Sequence, residues 1–420
     1  MQHIKLCVFI ALSCFSFAFS QQPKKITSSE LYHQIQQLNF FGKVLYIAAH
    51  PDDENTRLIS YAANHLKATT AYLSLTRGDG GQNLIGTELR ELLGVLRTQE
   101  LLAARRIDGG QQFFTRANDF GFSKHPDETL TLWDKESVLN DIVWVIRNFQ
   151  PDVIINRFDH RTPGSTHGHH TSSALLSMEA FDLANQPDVY TAQLKNTTIW
   201  QPKRLFFNTS WWFYGSQENF EKADKSNMLE FNVGTYYPNL GVSNNEIAAL
   251  ASSQHLCQGF GRMETRGSEK EYIEFLKGDF TKNSTDLFEG IDTSWNRIEG
   301  GEAIGKIVMR IEANFNFKNP ATHIPDLVQA YKALQKLPSS TWKTEKSKLL
   351  RTIIENAAGL YLDATTAIGT ATPNEEVRIS IEALNRSDVA IRLKEIYITN
   401  SVTKELNVIL ENNVKYTNTI

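Results

Sequence analysis

The sequence has little cysteine, with three in 420 residues. Cys7 and Cys14 lie within the first twenty residues, so a chain that loses this segment keeps only Cys257. One cysteine cannot form an intramolecular disulfide, and it cannot supply a four-cysteine structural zinc site. The fold therefore depends on its apolar core and on any metal held by other residues.

The sequence also lacks an excess of one charge. The 43 Lys and Arg residues nearly balance 47 Asp and Glu residues, and the formal charge is −4. No basic patch of the kind that nucleic-acid-binding proteins carry is present. Beyond the N-terminal segment, no apolar run is long enough to cross a bilayer. We expect neither a nucleic-acid partner nor a membrane span.

The N-terminus has the pattern of a secretory signal peptide. Lys5 precedes an apolar run over residues 6–19, and Ala18 and Ser20 are small residues before a cleavage position at Gln21. This pattern predicts a signal peptide over residues 1–20 and a mature chain exported to the periplasm or the extracellular space. A buried first helix is one alternative. Lipidation of Cys14 is another, which residues 11–13 fit poorly.

Apolar runs alternate with helical patterns over the first half of the chain. Continuous apolar runs predict strands at 44–49, 70–75 and 152–155. Helical spacing predicts helices over 28–38, 58–66, 88–107, 138–149 and 170–184. Such alternation is typical of α/β proteins with a Rossmann-like, mainly parallel sheet and helices on both faces. Ligands bind such sheets beyond the carboxyl ends of the strands.

The pattern changes twice further along the chain. We predict one domain over 21–290, a helical segment over 291–366 with helices at 324–337 and 346–362, and a β-sandwich-like segment over 367–420. Val377, Ile379 and Ile381 alternate with polar residues in the last of these. About fifty residues are too few for the usual seven strands, which indicates an incomplete or minimal sandwich.

The first polar cluster is His50-Pro-Asp-Asp-Glu54, placed directly after a buried strand. Helix capping explains one aspartate, because Asp is favoured at the N-cap. It explains neither the second aspartate nor the histidine. A metal site is the alternative that uses them all.

A second cluster, of four histidines, follows the strand at 152–155. His160, His167, His169 and His170 lie in or next to one loop. Two clusters beyond parallel strands can converge on one crevice. Histidine and carboxylate ligands with one open position are typical of a catalytic zinc site.

These residues resemble the LmbE-like or PIG-L family of metal-dependent N-acetylglucosamine deacetylases. The similarity lies in His50-Pro-Asp-Asp-Glu54 and in the His-x-x-His that ends at His170. Thr76, Gly78 and Gly81 resemble the family's Thr-x-Gly loop, and Arg97-x-x-Glu100 its Arg-x-x-Glu helix. The resemblance covers about residues 40–290.

The resemblance implies roles for seven residues. The metal, Zn²⁺ or alternatively Fe²⁺, would be bound by His50, Asp53 and His170. Asp52 would be the general base that activates the attacking water, and His167 would stabilise the oxyanion. Arg97 and His255 would contact the substrate.

Two departures from the family pattern leave alternatives open. The middle of His167-Gly-His-His170 is Gly-His where the best-known members have Pro-Asp, so His169 competes with His170 as a ligand. Ser165 stands where some members have an aromatic residue, so Tyr236 or His255 could assist the oxyanion instead of His167.

The sequence thus predicts zinc-dependent hydrolysis of an N-acyl group on an amino sugar or glycoconjugate, with N-acetyl as the expected acyl group. A metal-dependent phosphoesterase and a non-catalytic, secreted carbohydrate-binding protein are the alternatives. We interpret the aromatic stretch 211–214 as core or pocket lid, and Cys257 as a buried thiol rather than a nucleophile.

Overall fold

A computed structural model describes residues 26–280, 286–398 and 402–420. The predicted signal peptide, with Cys7 and Cys14, lies outside the described residues. No helix within the described residues combines the length and apolarity needed to cross a membrane.

A seven-stranded sheet forms the centre of the molecule. Its strands are β1 (Lys43–Ala48), β2 (Thr69–Ser74), β3 (Gln111–Phe114), β4 (Val153–Asn156), β5 (Arg204–Thr209), β6 (Met228–Asn232) and β9 (Lys270–Gly278), and a two-stranded hairpin, β7 (Tyr236–Tyr237) and β8 (Val242–Ser243), lies between β6 and β9 in the chain. Their order in the sheet is β3-β2-β1-β4-β5-β9-β6. The first five strands in chain order run parallel, β9 pairs antiparallel with β5, and β6 pairs antiparallel with β9 at the edge. The predicted α/β class is confirmed.

Helices cover both faces of this sheet. They are Ser28–Asn39, Thr56–Ser60 with the π-helix Tyr61–His65, Glu91–Asp108, Pro126–Leu132, Lys135–Phe149, Gly168–Leu183, Gln217–Lys222 and Asn244–Ser252. All six residues of β1 are buried, since alternate side chains enter the two core clusters on either side. Because both faces of the strand are buried, its sequence is a continuous apolar run.

Chain order reverses at the centre of the sheet. β1 pairs with β2 on one side and with β4 on the other. A crevice forms at such a switch point, because the loops after the two strands leave in opposite directions. The loop that begins at His50 and the loop that ends at His167 both open into it.

A third core joins the first helix to the predicted helical segment. Helices Glu302–Ala313 and Thr341–Ala357 pack their apolar faces against Ser28–Asn39, and Ile324–Gln335 packs against those two helices. Lys346, almost fully buried here, donates hydrogen bonds to the carbonyl oxygens of Gln37 (2.8 Å) and Phe40 (2.6 Å).

The C-terminal part forms two small antiparallel sheets. One contains β10 (Tyr361–Thr366), β11 (Ile379–Leu384) and β14 (Tyr416–Thr419), and the other contains β12 (Ile391–Ile398) and β13 (Val402–Leu410). The second helix predicted in the helical segment was extended to Leu362, which is wrong. It ends at Ala357, and β10 begins at Tyr361.

Candidate metal centre and active site

The loop after β1 places two aspartates beside His50. The helix that follows is capped by Asn55, whose side chain accepts hydrogen bonds from the backbone N–H groups of Arg57 and Leu58. The capping explanation for the aspartates is therefore wrong. Asp52 and Asp53 have other partners.

His50, Asp53 and His170 converge, and we call them the outer cluster. Their candidate ligand atoms all lie within 4.8 Å of one another. Asp53 Oδ2 is 3.2 Å from His50 Nδ1, and Asp53 Oδ1 is 3.4 Å from His170 Nε2. Burial raises the pKa of Asp53, but the two imidazoles outweigh it and hold this pKa well below its usual range. The carboxyl group therefore stays ionised, as a metal ligand must.

The third ligand of this cluster comes from the first turn of helix Gly168–Leu183. The His170 ring stacks on Phe158, with ring centroids 3.8 Å apart. On its other side lies the His167 ring, with centroids 4.8 Å apart. Burial and the neighbouring His170 lower the pKa of His167. A neutral, solvent-facing imidazole with one N–H to donate thus borders the cluster.

Asp52 lies next to the cluster in a strained backbone conformation. Its φ of 98° is in the region that costs a non-glycine residue on the order of 1–3 kcal/mol. Glu54 accepts a hydrogen bond from the Asp52 N–H (2.9 Å), and Arg97 donates to Asp52 Oδ1 (2.7 Å). Burial raises the pKa of Asp52 to about 6, against the opposing effect of Arg97. Its hydrogen bonds with Glu54 and Arg97 hold Asp52 beside the outer cluster, and its carboxylate is not among the ligand atoms of that cluster.

Arg97 lies behind Asp52 rather than in the open crevice. It is 3% exposed and also donates to the carbonyl oxygens of Pro51 and Gly78. Gly78 has a φ of +73°, and a Cβ there would lie 2.3 Å from the Arg97 guanidinium, so only glycine fits. Arg97 thus contacts Asp52 and has little surface toward the crevice, and the substrate contact that the resemblance implies stays a prediction.

His255 is likewise turned away from the crevice. It is 1% exposed, and its Nε2 lies 2.8 Å from Glu54 Oε1. Burial lowers the pKa of His255, but the Glu54 carboxylate more than offsets this and the net shift is upward. Arg105 donates to the same Glu54 oxygen (3.2 Å) and pairs with the buried Asp108. His255 thus holds Glu54 of the first motif in place, and its predicted contact with substrate or an oxyanion stays a prediction.

Asp119 is a candidate ligand that the sequence did not reveal. It lies in the loop after β3, a short strand that the apolar pattern missed. With His50 and His169 it forms a second group of ligand atoms within 4.8 Å, which we call the inner cluster. His169 therefore does not replace His170 in this structure, because the two face different sides of His50.

The fourth histidine of the loop lies outside both clusters. His160 is 3.7 Å from Asp159. Its neighbour Arg161 binds both carboxylate oxygens of Glu274 on β9, at 2.8 and 2.7 Å. This pairing holds the start of the loop against β9.

The aromatic stretch after β5 is core only in part, and its interpretation as a pocket lid stays a prediction. Trp211 and Trp212 are 51% and 55% exposed, so neither indole is core. The ring of Phe213, which follows them, packs edge-on against Phe207 of β5. Tyr236, the other candidate for oxyanion assistance, is exposed on the β7–β8 hairpin.

Cys257 is a free, buried thiol. Burial raises its pKa to about 11, and its Sγ contacts Glu100 Oε2 at 2.8 Å. A thiol that stays protonated beside a carboxylate is a poor nucleophile.

Comparison with known proteins agrees with the motifs. Residues 45–181 match the family model described as PIG-L: GlcNAc-PI de-N-acetylase, which confirms the resemblance over this segment. No curated protein matches the chain.

Several solved structures are similar at low identity. N,N'-diacetylchitobiose deacetylase from Pyrococcus horikoshii is 19% identical over 39% of this chain and 59% of that chain, with a TM-score of 0.34. The match thus spans less than two thirds of that enzyme. A deacetylase of the teicoplanin biosynthetic pathway is 14% identical over 57% of this chain and 100% of that chain, with a TM-score of 0.31. The enzyme 4-carboxy-2-hydroxymuconate hydratase from Pseudomonas putida is 14% identical over 58% of this chain and 100% of that chain, with a TM-score of 0.39. At these values the similarities carry no argument about the reaction.

Proposed function

We propose that this chain, whose residues 45–181 carry the PIG-L family pattern, is a metal-dependent N-deacetylase that acts on an amino sugar or glycoconjugate. One observation carries the proposal. His50, Asp53 and His170 form a compact set of ligand atoms, and a further carboxylate, Asp52, lies beside them without being needed as a ligand. A binding site for metal alone has no use for that fourth group.

The outer cluster fits a catalytic cation. Two imidazoles and one carboxylate, all partly exposed, match the three-ligand sets of catalytic zinc sites, which keep one position open. Fe²⁺ is a weaker alternative for the same donors. When bound, such a cation supplies Lewis acidity, which polarises the acyl carbonyl and makes water more acidic.

The chain's own residues supply the proton transfers. Asp52 would take a proton from the attacking water and later return it to the leaving amine, for a contribution of about 10²–10⁴-fold in rate. Arg97 orients this carboxylate through its 2.7 Å hydrogen bond. His167, exposed next to His170, would donate its N–H to the developing oxyanion.

The geometry argues against a two-metal phosphoesterase. Such enzymes hold their metals about 3.5–4 Å apart. Here the outer and inner clusters use different nitrogens of the His50 ring. Cations on both nitrogens would be roughly 6 Å apart, because each Zn–N bond is about 2 Å long.

We further propose that the mature chain is exported after removal of residues 1–20. The apolar run over 6–19 and the small residues Ala18 and Ser20 support this. Mass spectrometry of the exported protein should find Gln21 at the N-terminus, with no lipid on Cys14.

The proposed activity can be tested on metal-depleted protein. We expect no acetate release from N-acetylglucosamine or its oligomers until one equivalent of Zn²⁺ or Fe²⁺ is added, and release afterwards. An aryl phosphate serves as the competing substrate. Phosphate release without acetate release would identify a phosphoesterase, and metal binding without turnover would favour a carbohydrate-binding protein.

A further inference from the structure

The inner cluster has no task in the proposed reaction. Asp119 is buried, and His169 is fully buried between the rings of Phe120 and Trp133. Neither His169 ring nitrogen has a hydrogen-bond partner within the described residues. A buried histidine with both nitrogens unpaired is costly, so this arrangement calls for a missing partner.

The spacing of the inner cluster suits a cation better than hydrogen bonds. Asp119 Oδ1 is 3.6 Å from His169 Nε2 and 3.8 Å from His50 Nε2. Both distances are too long for hydrogen bonds. Two ligands of one tetrahedral zinc ion lie roughly 3.4 Å apart, given metal–ligand bonds of about 2.0–2.1 Å. If Asp119 Oδ1, His169 Nε2 and His50 Nε2 moved slightly closer together, all three atoms could bind one ion.

We propose that His50, Asp119 and His169 form a second divalent-cation position, distinct from the one at Asp53 and His170. The donor set of two imidazoles and one carboxylate selects zinc or a metal of similar preference over calcium or magnesium. The inference rests on the proposed function only in taking the outer cluster as the catalytic position. We assign the catalytic role to the outer cluster because its side chains are partly exposed, whereas His169 is fully buried.

The inner and outer clusters share His50, and we therefore expect the second position to bind its cation more weakly than the first. Its Nδ1 faces Asp53 and its Nε2 faces Asp119. A neutral imidazole has one lone pair for a metal. Both nitrogens can bind cations only after the ring releases its N–H proton to solvent. The second cation therefore competes for His50, and we expect it to inhibit the enzyme when free metal is high.

Asp119 also borders a cavity that lies apart from the outer cluster. The cavity has a volume of about 490 Å³ and is lined by residues 79–81, 89–91 and 118–120. Gly80 allows the two loops to meet closely there, since a Cβ at this position would lie 2.2 Å from the Gly121 nitrogen. We infer that a cation approaches the inner cluster from this side, because Asp119 is the one inner-cluster residue in the cavity lining.

The test is a Zn²⁺ titration of the metal-free full chain by equilibrium dialysis, with bound zinc measured directly. We expect wild type to bind two ions in separate steps, with acetate release rising in the first step and falling in the second. Asp119→Asn and His169→Gln should each bind one ion and lose the inhibition. His160→Gln, a histidine of the same loop outside both clusters, should behave as wild type.

Other results would overturn the proposal. If wild type binds one zinc ion at every concentration, there is no second position. If Asp119→Asn and His169→Gln, folded by circular dichroism, also lose the first ion, then Asp119 and His169 only orient His50. Two-step binding without acetate release from any substrate would contradict the proposed function and leave the second cation position standing.

Discussion

Asp52 and Asp53 are neighbours in sequence and have opposite environments. The two imidazoles hold the pKa of Asp53 well below its usual range, whereas burial raises the pKa of Asp52 to about 6. One carboxylate is therefore suited to bind a cation and the other to exchange a proton. The positive φ of Asp52 turns the two side chains to different partners.

We interpret Arg97 as a residue that positions the Asp52 carboxylate. It contacts Asp52 and two backbone carbonyl oxygens and is almost fully buried. We expect Arg97→Lys to lower kcat by about 10–100-fold, because a single ammonium cannot hold all three partners. KM should change less than about twofold, since uniform substrate binding is untouched.

Steady-state kinetics on an N-acetylated sugar would measure both constants. Arg57→Lys is the matched control, because Arg57 pairs with Glu269 and Glu271. A large rise in KM with kcat unchanged would mean that Arg97 binds substrate after all.

At the scale of elements, buried lysines connect the helical segment to the sheet. Lys43 of β1 contacts Glu345 (2.5 Å), and Lys346 caps the end of helix Ser28–Asn39. Burial lowers the pKa of Lys346 to about 7. The unfolded chain keeps that proton up to about pH 10.4.

This difference predicts how stability depends on pH. Between pH 7 and pH 9 the unfolded state binds more protons at Lys346 than the folded state, so raising the pH stabilises the fold. We expect the free energy of unfolding of wild type to rise relative to that of Lys346→Met, by at most about 1.4 kcal/mol per pH unit.

Urea unfolding at pH 7, 8 and 9 would measure this difference. Lys348→Met, an exposed lysine of the same helix, should show no such relative slope. If the free energies of unfolding of wild type and Lys346→Met changed equally with pH, the buried Lys346 ammonium would keep its proton over this range.

At the scale of the whole molecule, the site lies where the chain order reverses, and a row of aromatic rings extends from it to the exposed Trp212. Phe158, stacked on His170, and Phe213 both lie 5.9 Å from the Arg157 guanidinium. Trp212 packs edge-on against Phe213. Flat apolar rings in this position suit the faces of further sugar units.

We therefore expect Trp212→Ala to lower kcat/KM for an N-acetylglucosamine oligomer by about tenfold, the effect of losing about 1.4 kcal/mol of contact. The monosaccharide should be unaffected. Trp144→Ala, which removes a part-exposed indole from helix Lys135–Phe149, is the control. Equal losses on both substrates would contradict an extended glycan site.

Much of this arrangement could be predicted from sequence, because buried parallel strands give continuous apolar runs. The apolar run at 44–49 precedes the His50 motif, and the run at 152–155 precedes the histidine loop. Both motifs were therefore placed correctly at the ends of strands. β3 was missed because Gln111 and Gln112 interrupt its pattern, and Asp119 was missed with it. The burial of Arg97 and His255 could not be predicted, since it depends on Asp52 and Glu54, which are distant in sequence.

We propose that Asp52 exchanges protons while Asp53 binds the cation, and one pair of variants tests these two roles most directly. At free zinc that fills only the first position, Asp52→Asn should keep one bound ion and lose about 10²–10⁴-fold in acetate release. Asp53→Asn should bind the ion weakly, because an anionic ligand is lost. If Asp52→Asn loses the ion while Asp53→Asn keeps it, the roles are reversed. If neither change affects turnover, the reaction occurs elsewhere.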